Sequence, residues 1–199
     1  MLTSLPNLLT YGRILLIPTM MTTFFIPADW ARWVAFGLFV VASITDFLDG
    51  YLARVRQQHS SFGRMLDPIA DKLLVATLLL MLVGQGTIAG LSILAAVVIL
   101  CREILVSGLR EYLGALQISV PVNLLSKWKT LIQLLAIGFL IPAPATDKLI
   151  AIKIINQDYS LFTGIGLTLL WIAALLTLYT GYDYWRSGIA YVIDEDGDS

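Results

Sequence analysis

Residues 73–101 read LLVATLLLMLVGQGTIAGLSILAAVVILC, 29 consecutive positions without a charge. A helix needs roughly 20 mainly apolar residues to cross the hydrocarbon of a bilayer. This run is too long for one such helix, and Gly84-Gln85-Gly86-Thr87 in its middle supplies turn residues. It therefore predicts two spanning helices, about 61–83 and 88–112, joined by a tight turn. Outward from this pair, four more stretches qualify. Ile14 to Ala28 and Trp33 to Thr45 are charge-free, and their helices are predicted to begin near Asn7 and to run on to Arg56. Thr130 to Thr146 gives a fifth span, starting near Asn123 and ending at Pro142 and Pro144. Tyr159 to Tyr182 gives the sixth.

Composition agrees. The chain has 199 residues, 58% of them hydrophobic and 14% charged, and its mean hydropathy is +0.82. A soluble domain carries about 45–50% apolar and about 25% charged residues. An ordinary cytosolic globule, a disordered chain and a nucleic-acid binder are excluded on this ground. The single cysteine, Cys101, lies in an apolar run, reads as a packing residue and allows no intrachain disulfide. The first segment lacks a basic leader and holds Arg13 inside it, so it reads as a retained helix rather than a cleaved signal. The expected fold is an all-α integral membrane protein of six transmembrane helices, a single domain over 1–199, with a mobile, solvated acidic tail at 194–199. Six spans put both termini on one side. That side holds Arg54, Arg56, Arg64, Arg110, Lys127, Lys129 and Arg186, against Arg32, Lys148 and Lys153 on the other. The excess of cations makes the first side cytoplasmic. Trp30, Trp33 and Trp185 read as anchors at the two interfaces.

Four carboxylates interrupt the second and third spans: Asp46, Asp49, Asp67 and Asp71. Ionisable groups inside spans are costly and tend to mark function. At ~100° per residue, Asp46, Asp49, Gly50 and Ala53 share one arc of ~100°, and Gly63, Asp67 and Asp71 share one of ~80°. A hairpin turning near His59-Ser60 sets Asp71 opposite Asp46 and Asp49, so all four acids can converge near the cytoplasmic end. His59, the only histidine, lies outside both arcs and reads as a loop residue. Four carboxylates without compensation would repel one another. Divalent cations such as Mg²⁺ or Mn²⁺ are the economical remedy for an all-oxygen set, and a bridged pair of ions suits displacement at phosphorus. The plainer reading is a network pairing the acids with Arg54, Arg64 or Lys72. Gly50, Ala53 and Gly63 leave the acidic face bare, either for close helix packing or for a flat ligand.

Written out, these residues are Asp46-x₂-Asp49-Gly50-x₂-Ala53-Arg54-x₈-Gly63-x₃-Asp67-x₃-Asp71. The pattern resembles the signature of the CDP-alcohol phosphatidyltransferase family at every defined position. The resemblance implies a six-helix membrane core with its active site at the cytoplasmic end, transferring a phosphatidyl or similar group from a CDP-linked donor to an alcohol and releasing CMP. It implies that Asp46, Asp49, Asp67 and Asp71 hold two divalent cations and that Asp71 is the general base. Gly50, Ala53, Arg54 and Gly63 would belong to the CDP-donor site. A homodimer in the bacterial cytoplasmic membrane is implied as well.

Three further stretches, residues 6–13 (PNLLTYGR), Arg102-Glu103-Ile104 with Gly108-Leu109-Arg110-Glu111, and residues 126–130 (SKWKT), resemble family members whose donor is CDP-diacylglycerol and whose acceptor is glycerol 3-phosphate. Asn7, Thr10 and Arg13 share a face of the first span and can meet the donor's diphosphate or ribose, or else form an amphipathic start capped by Asn7. Arg102, Arg110, Lys127 and Lys129 can line a pocket for the acceptor's phosphate. Their alternative is ordinary positive-inside decoration, with Arg102 paired to Glu103. Two competing functions remain at this level: the same family with phosphatidylglycerol, inositol phosphate or serine as acceptor, and a cation- or proton-coupled transporter. The transporter is opposed by acids near one face and by the lack of inverted-repeat halves.

Overall fold

The computed structural model describes residues 5–56, 61–115, 124–147, 152–154, 157–159 and 161–197; of these, the side chains of 5–9, 47, 49–56, 61–65, 67, 115, 124, 152–159 and 187–197 lie outside the description. Six long helices match the six predicted: α1 (Leu5–Phe24), α2 (Asp29–Arg56), α3 (Ser61–Gly84), α4 (Ser92–Ala115), α5 (Leu124–Leu140) and α7 (Leu161–Gly197). A one-turn helix, α6 (Ala143–Thr146), follows α5. The connection between α2 and α3, with His59, lies outside the described residues.

Local chemistry explains the boundaries. Pro6 sits in the first turn of α1, where its missing N–H costs nothing. Beyond Phe24 the chain tightens, with Phe25 and Ile26 donating to the carbonyls of Thr22 and Thr23, and Pro27 prevents continuation. Asp29 opens α2 at its positive end. The turn after α3 is longer than the predicted four residues. Gly86 and Gly90 both take positive φ, 73° and 57°, so α4 starts at Ser92 rather than at residue 88. The connection to α7 adds a short antiparallel hairpin, β1 (Ile152–Ile154) and β2 (Gln157–Tyr159), with Lys153 in register with Asp158. The alternation Ile152-Lys153-Ile154 is its only sequence signal. The helix α7 extends past the predicted end near Tyr182, and its backbone carries Asp194, Glu195 and Asp196 in helical form to Gly197.

By its internal contacts the chain divides into two compact units: residues 1–88 with 137–165, and residues 89–136 with 166–199. In the first, each long helix turns one stripe inward: Thr10, Arg13, Ile17, Met20 and Phe24 from α1, Ala31, Ala35, Phe39 and Ala42 from α2, and Leu74, Leu78 and Leu82 from α3. The alanines of α2 allow close approach, as small residues do between membrane helices. In the second unit the inward residues are Ala95, Ile99, Val106 and Leu113 of α4, Lys129 and Gln133 of α5, and Leu170, Ala173, Thr177 and Thr180 of α7. Large apolar side chains such as Leu80, Ile104, Leu175 and Leu178 face outward instead. Such a surface suits hydrocarbon rather than water. Among the described residues, two helical segments, Ser92–Gly114 and Leu161–Arg186, are both long and apolar enough to cross a membrane.

Asp147 ties the start of α7 to the end of α6. Its carboxylate accepts the backbone N–H groups of Phe162 at 2.9 Å and Thr163 at 3.2 Å, and the Thr163 hydroxyl at 2.6 Å. It thus supplies from a distant position what a helix N-cap supplies locally. Asp147→Ala is expected to cost about 1–2 kcal/mol in detergent unfolding, near the upper range for caps, and Asp147→Asn less. An unchanged midpoint for Asp147→Ala would show that water replaces the carboxylate without loss.

Candidate active site

The inward stripe of α2 continues from Ala31, Ala35, Phe39 and Ala42 to Asp46, four residues further on. On α3 the stripe of Leu74, Leu78 and Leu82 continues backward to Asp71. On α1 the equivalent place is taken by Arg13, whose side chain has no exposure at all. The three meet. Arg13 Nη1 lies 2.5 Å from Asp46 Oδ1 and 2.6 Å from Asp71 Oδ1. One guanidinium nitrogen thus joins carboxylates from two facing helices, as the hairpin arithmetic requires of Asp46 and Asp71. Both carboxylates remain half exposed, at 43% and 50%. Charge-assisted contacts of this length are strong. Arg13 is sealed on the protein side, while the acids open outward.

The sequence offers Arg54, Arg64 or Lys72 as partners of the acids; among the described side chains the cation that reaches Asp46 and Asp71 is Arg13, and the side chains of Arg54 and Arg64 lie outside the description. Lys72 turns back on its own helix and donates to the carbonyl of Pro68 at 3.1 Å. Thr10, one turn before Arg13, is buried on the same face of α1. Asn7 lies on α1, Asp49, Gly50, Ala53 and Arg54 on α2, and Gly63 and Asp67 on α3; their side chains fall outside the described residues. Two carboxylates close enough to share one cation, in an all-oxygen set, are a donor arrangement that fits a hard divalent ion.

The second unit holds Arg102, Arg110, Lys127 and Lys129. Lys129 is buried and its ammonium donates to Glu103 Oε1. Arg102 Nη1 lies 3.7 Å from the same oxygen, and its Nη2 donates to Thr180 Oγ1 at 3.3 Å. Glu103 therefore serves two cations, from α4 and α5, which leaves one positive charge uncompensated within the group. Buried Arg102 Nε, Gln133 Oε1 and Thr177 Oγ1 have no hydrogen-bond partner. Arg110 and Lys127 differ from these: both are exposed, with the Arg110 guanidinium 5.7 Å from the centre of the Tyr184 ring. Of the four cations predicted to meet an acceptor, Arg110 and Lys127 are open to solvent, while Arg102 and Lys129 are held by Glu103. Glu103, Thr180 and Tyr184 were not singled out as site residues. The spacing of Lys129 and Gln133, polar positions one turn apart at the start of an apolar helix, was the available signal.

The chain belongs to the CDP-alcohol phosphatidyltransferase family, which it matches over residues 3–179. Among its relatives, the CDP-diacylglycerol–glycerol-3-phosphate 3-phosphatidyltransferase of Rickettsia bellii is 44% identical over 184 residues, covering 92% of this chain and 94% of its own. The protein of the same name from Cereibacter sphaeroides is 39% identical over 217 residues, covering 96% and 98%. That from Pseudomonas fluorescens is 38% identical over 187 residues, covering 92% and 89%.

Gly181 of α7 is where Arg102 passes. A Cβ at this position would stand 2.8 Å from Arg102 Cγ and 3.4 Å from its Nε. The nearest contact is at the base of the side chain, not at its flexible end. Gly181→Ala is expected to cost about 1–3 kcal/mol through overpacking. The loss should be smaller in an Arg102→Ala background, read as a double-mutant cycle of thermal unfolding. Equal losses in both backgrounds would separate Gly181 from Arg102.

Proposed function

We infer that this chain transfers the phosphatidyl group of CDP-diacylglycerol to glycerol 3-phosphate, giving phosphatidylglycerophosphate and CMP. The observation that carries this is near-full-length similarity to relatives named for that reaction, joined to the convergence of Asp46 and Asp71 on one point. The enzyme is a phosphatidylglycerophosphate synthase of the bacterial cytoplasmic membrane. It crosses the bilayer six times, keeps both termini in the cytoplasm and works as a homodimer. The outward-facing apolar side chains and the excess of cations on one side support this topology.

Asp46, Asp49, Asp67 and Asp71 hold two divalent cations, Mg²⁺ or Mn²⁺. When bound, these neutralise the donor's diphosphate and the charge developing on the departing phosphate. The residues do the rest. Asp71 takes the proton of the acceptor hydroxyl. That oxygen forms a bond to the phosphorus bearing the diacylglycerol, and the bond from this phosphorus to the bridging oxygen breaks, its electron pair leaving with CMP. Asn7 and Arg54 orient the donor's diphosphate and ribose, Arg13, with Thr10 one turn before it, holds Asp46 and Asp71 from the protein side, and Gly50, Ala53 and Gly63 make room for cytidine. Arg110 and Lys127 grip the acceptor's own phosphate, the first as a two-pronged donor and the second as a point charge. Arg102 and Lys129 support that pocket from within.

Release of CMP from CDP-diacylglycerol, measured with a panel of acceptors, tests this reading. Glycerol 3-phosphate should be used, and glycerol, serine and inositol phosphate very poorly. Robust turnover with another acceptor and none with glycerol 3-phosphate would refute the specific enzyme and keep the family. Asp49→Asn or Asp67→Asn should nearly abolish turnover in a folded protein, and chelation should do the same until Mg²⁺ or Mn²⁺ is restored. Full activity in excess chelator would remove the metal reading.

The acceptor pocket has its own test. A lost charged hydrogen bond costs about 1.5–3 kcal/mol, or roughly 10- to 150-fold. Arg110→Ala and Lys127→Ala should each weaken kcat/KM for glycerol 3-phosphate by about that factor, with little change in CDP-diacylglycerol binding. Equal loss for donor and acceptor would move these cations to the donor site.

A further inference from the structure

At the far end of the first unit from the acids, a cavity of about 390 Å³ opens where α1 ends and α2 begins. Its wall includes Phe24, Phe25, Ala28, Arg32, Gln85 and Pro144. Arg32 and Asp46 share α2, and a rise of about 1.5 Å per residue separates them by about 21 Å. The cavity therefore has no part in the chemistry at Asp46.

Arg32 is the unusual member of this wall. Its Nη2 donates to Gln85 Oε1 at 2.9 Å, and its guanidinium carbon lies 4.8 Å from the centre of the Phe24 ring. These contacts hold the guanidinium in place without neutralising it. Its Nη1 is buried and has no hydrogen-bond partner. Among the described residues no carboxylate forms an ion pair with Arg32. Asp29 also lines the cavity; it opens α2, where the positive end of the helix offsets part of its charge. The site thus offers a fixed cation without an ion-pair partner among the described residues, and a spare donor, at the edge of an apolar hollow.

We propose that this cavity binds the phosphate of an anionic phospholipid. The occupant follows from what surrounds the mouth. Phe25 is 72% exposed and Trp30 60% exposed, with Trp33 exposed one turn later on α2. Exposed tryptophans such as Trp30 and Trp33 gather at the level of lipid headgroups. Phe24, Ala28 and Pro144 provide apolar wall for the glycerol backbone and the first methylenes of the chains. A small soluble anion would gain one cation and no apolar contact, whereas a lipid gains both. The assignment rests on the membrane reading, not on the identity of the acceptor.

The test is binding, measured apart from turnover. Purified protein in a neutral detergent is titrated with short-chain phosphatidylglycerol, short-chain phosphatidylcholine or inorganic phosphate, followed by thermal midpoint and native mass spectrometry. Phosphatidylglycerol should give a saturable rise in midpoint and a retained lipid. Arg32→Ala should weaken that binding at least about 10-fold, the lower bound for a lost charged hydrogen bond. Ala28→Trp, which fills the hollow and leaves Arg32 intact, should do the same if Arg32→Ala proves too unstable to measure. Both variants should keep CMP release. Unchanged lipid affinity in the variants would overturn the proposal. So would an equal effect of phosphatidylcholine, or a rise produced in full by inorganic phosphate. Loss of CMP release in wild type would refute the enzyme reading and leave the lipid site standing.

Discussion

Arg13 carries its charge on a face of α1 that continues as Ile17, Met20 and Phe24. A fully buried cation on an apolar stripe is tolerable only with a close counter-charge, because the desolvation of an unpaired ion amounts to several kcal/mol even after relaxation. Asp46 and Asp71 supply it from two different helices. This requirement fixes more than one ion pair. It sets the register of α2 and α3 against α1, since a shift by one residue on either helix would turn its aspartate off the inward stripe. The alanines of α2 and the leucines of α3 are then committed to the same face.

The second unit answers a similar demand differently. Two cations, Arg102 and Lys129, depend on the single carboxylate of Glu103, whereas around Arg13 one cation depends on two carboxylates. Among the described side chains, the Arg13 group carries more carboxylate than cation and the Glu103 group more cation than carboxylate. Both imbalances have a chemical use. Surplus carboxylate beside open space attracts metal cations, and surplus guanidinium or ammonium attracts phosphate oxygens. Thr180 and Gly181 shape the second group as much as the charges do. The hydroxyl takes one end of the Arg102 guanidinium, and the missing Cβ gives its stem room.

Much of this fold was legible in the sequence because membrane helices advertise themselves by length and apolarity. The six long helices and the break after Gly84 follow from that alone. The facing of Asp46 and Asp71 followed from periodicity. What escaped has physical causes. Gly90 extends the turn before α4 because a second left-handed position forbids helix there, and composition does not reveal which glycines take positive φ. The hairpin at 152–159 is shorter than any window in which alternation is distinctive. Helix α7 passes its apolar limit because charged residues end a membrane span without ending a helix. The ion group around Arg13 is hidden because a lone arginine at the start of a span looks like a ligand for substrate. Its spacing with Ile17, Met20 and Phe24 marked it instead as a residue that must find acids inside the protein. The pairing of Arg102 with Glu103 is legible from their adjacency, but that local neighbour hides a third partner, Lys129, 26 residues away.

The exposure of each group around Arg13 bears on how a polar reaction can sit in an apolar bundle. The guanidinium is sealed, while the carboxylates it holds are 43% and 50% exposed. A cation on the open side would be readily exchanged with solvent ions; one sealed behind the acids is part of the scaffold. The acids are thereby held from the protein side and presented toward whatever enters from the other. A nucleotide-linked lipid has its chains in hydrocarbon and its diphosphate at the boundary, so a site for it must join an apolar wall to a hydrated, anionic edge. Helices whose inward stripes are apolar along most of their length and charged at one end provide that junction. The stripes of α1, α2 and α3 each change from hydrocarbon to charge at the same level: between Ile17 and Arg13, between Ala42 and Asp46, and between Leu74 and Asp71.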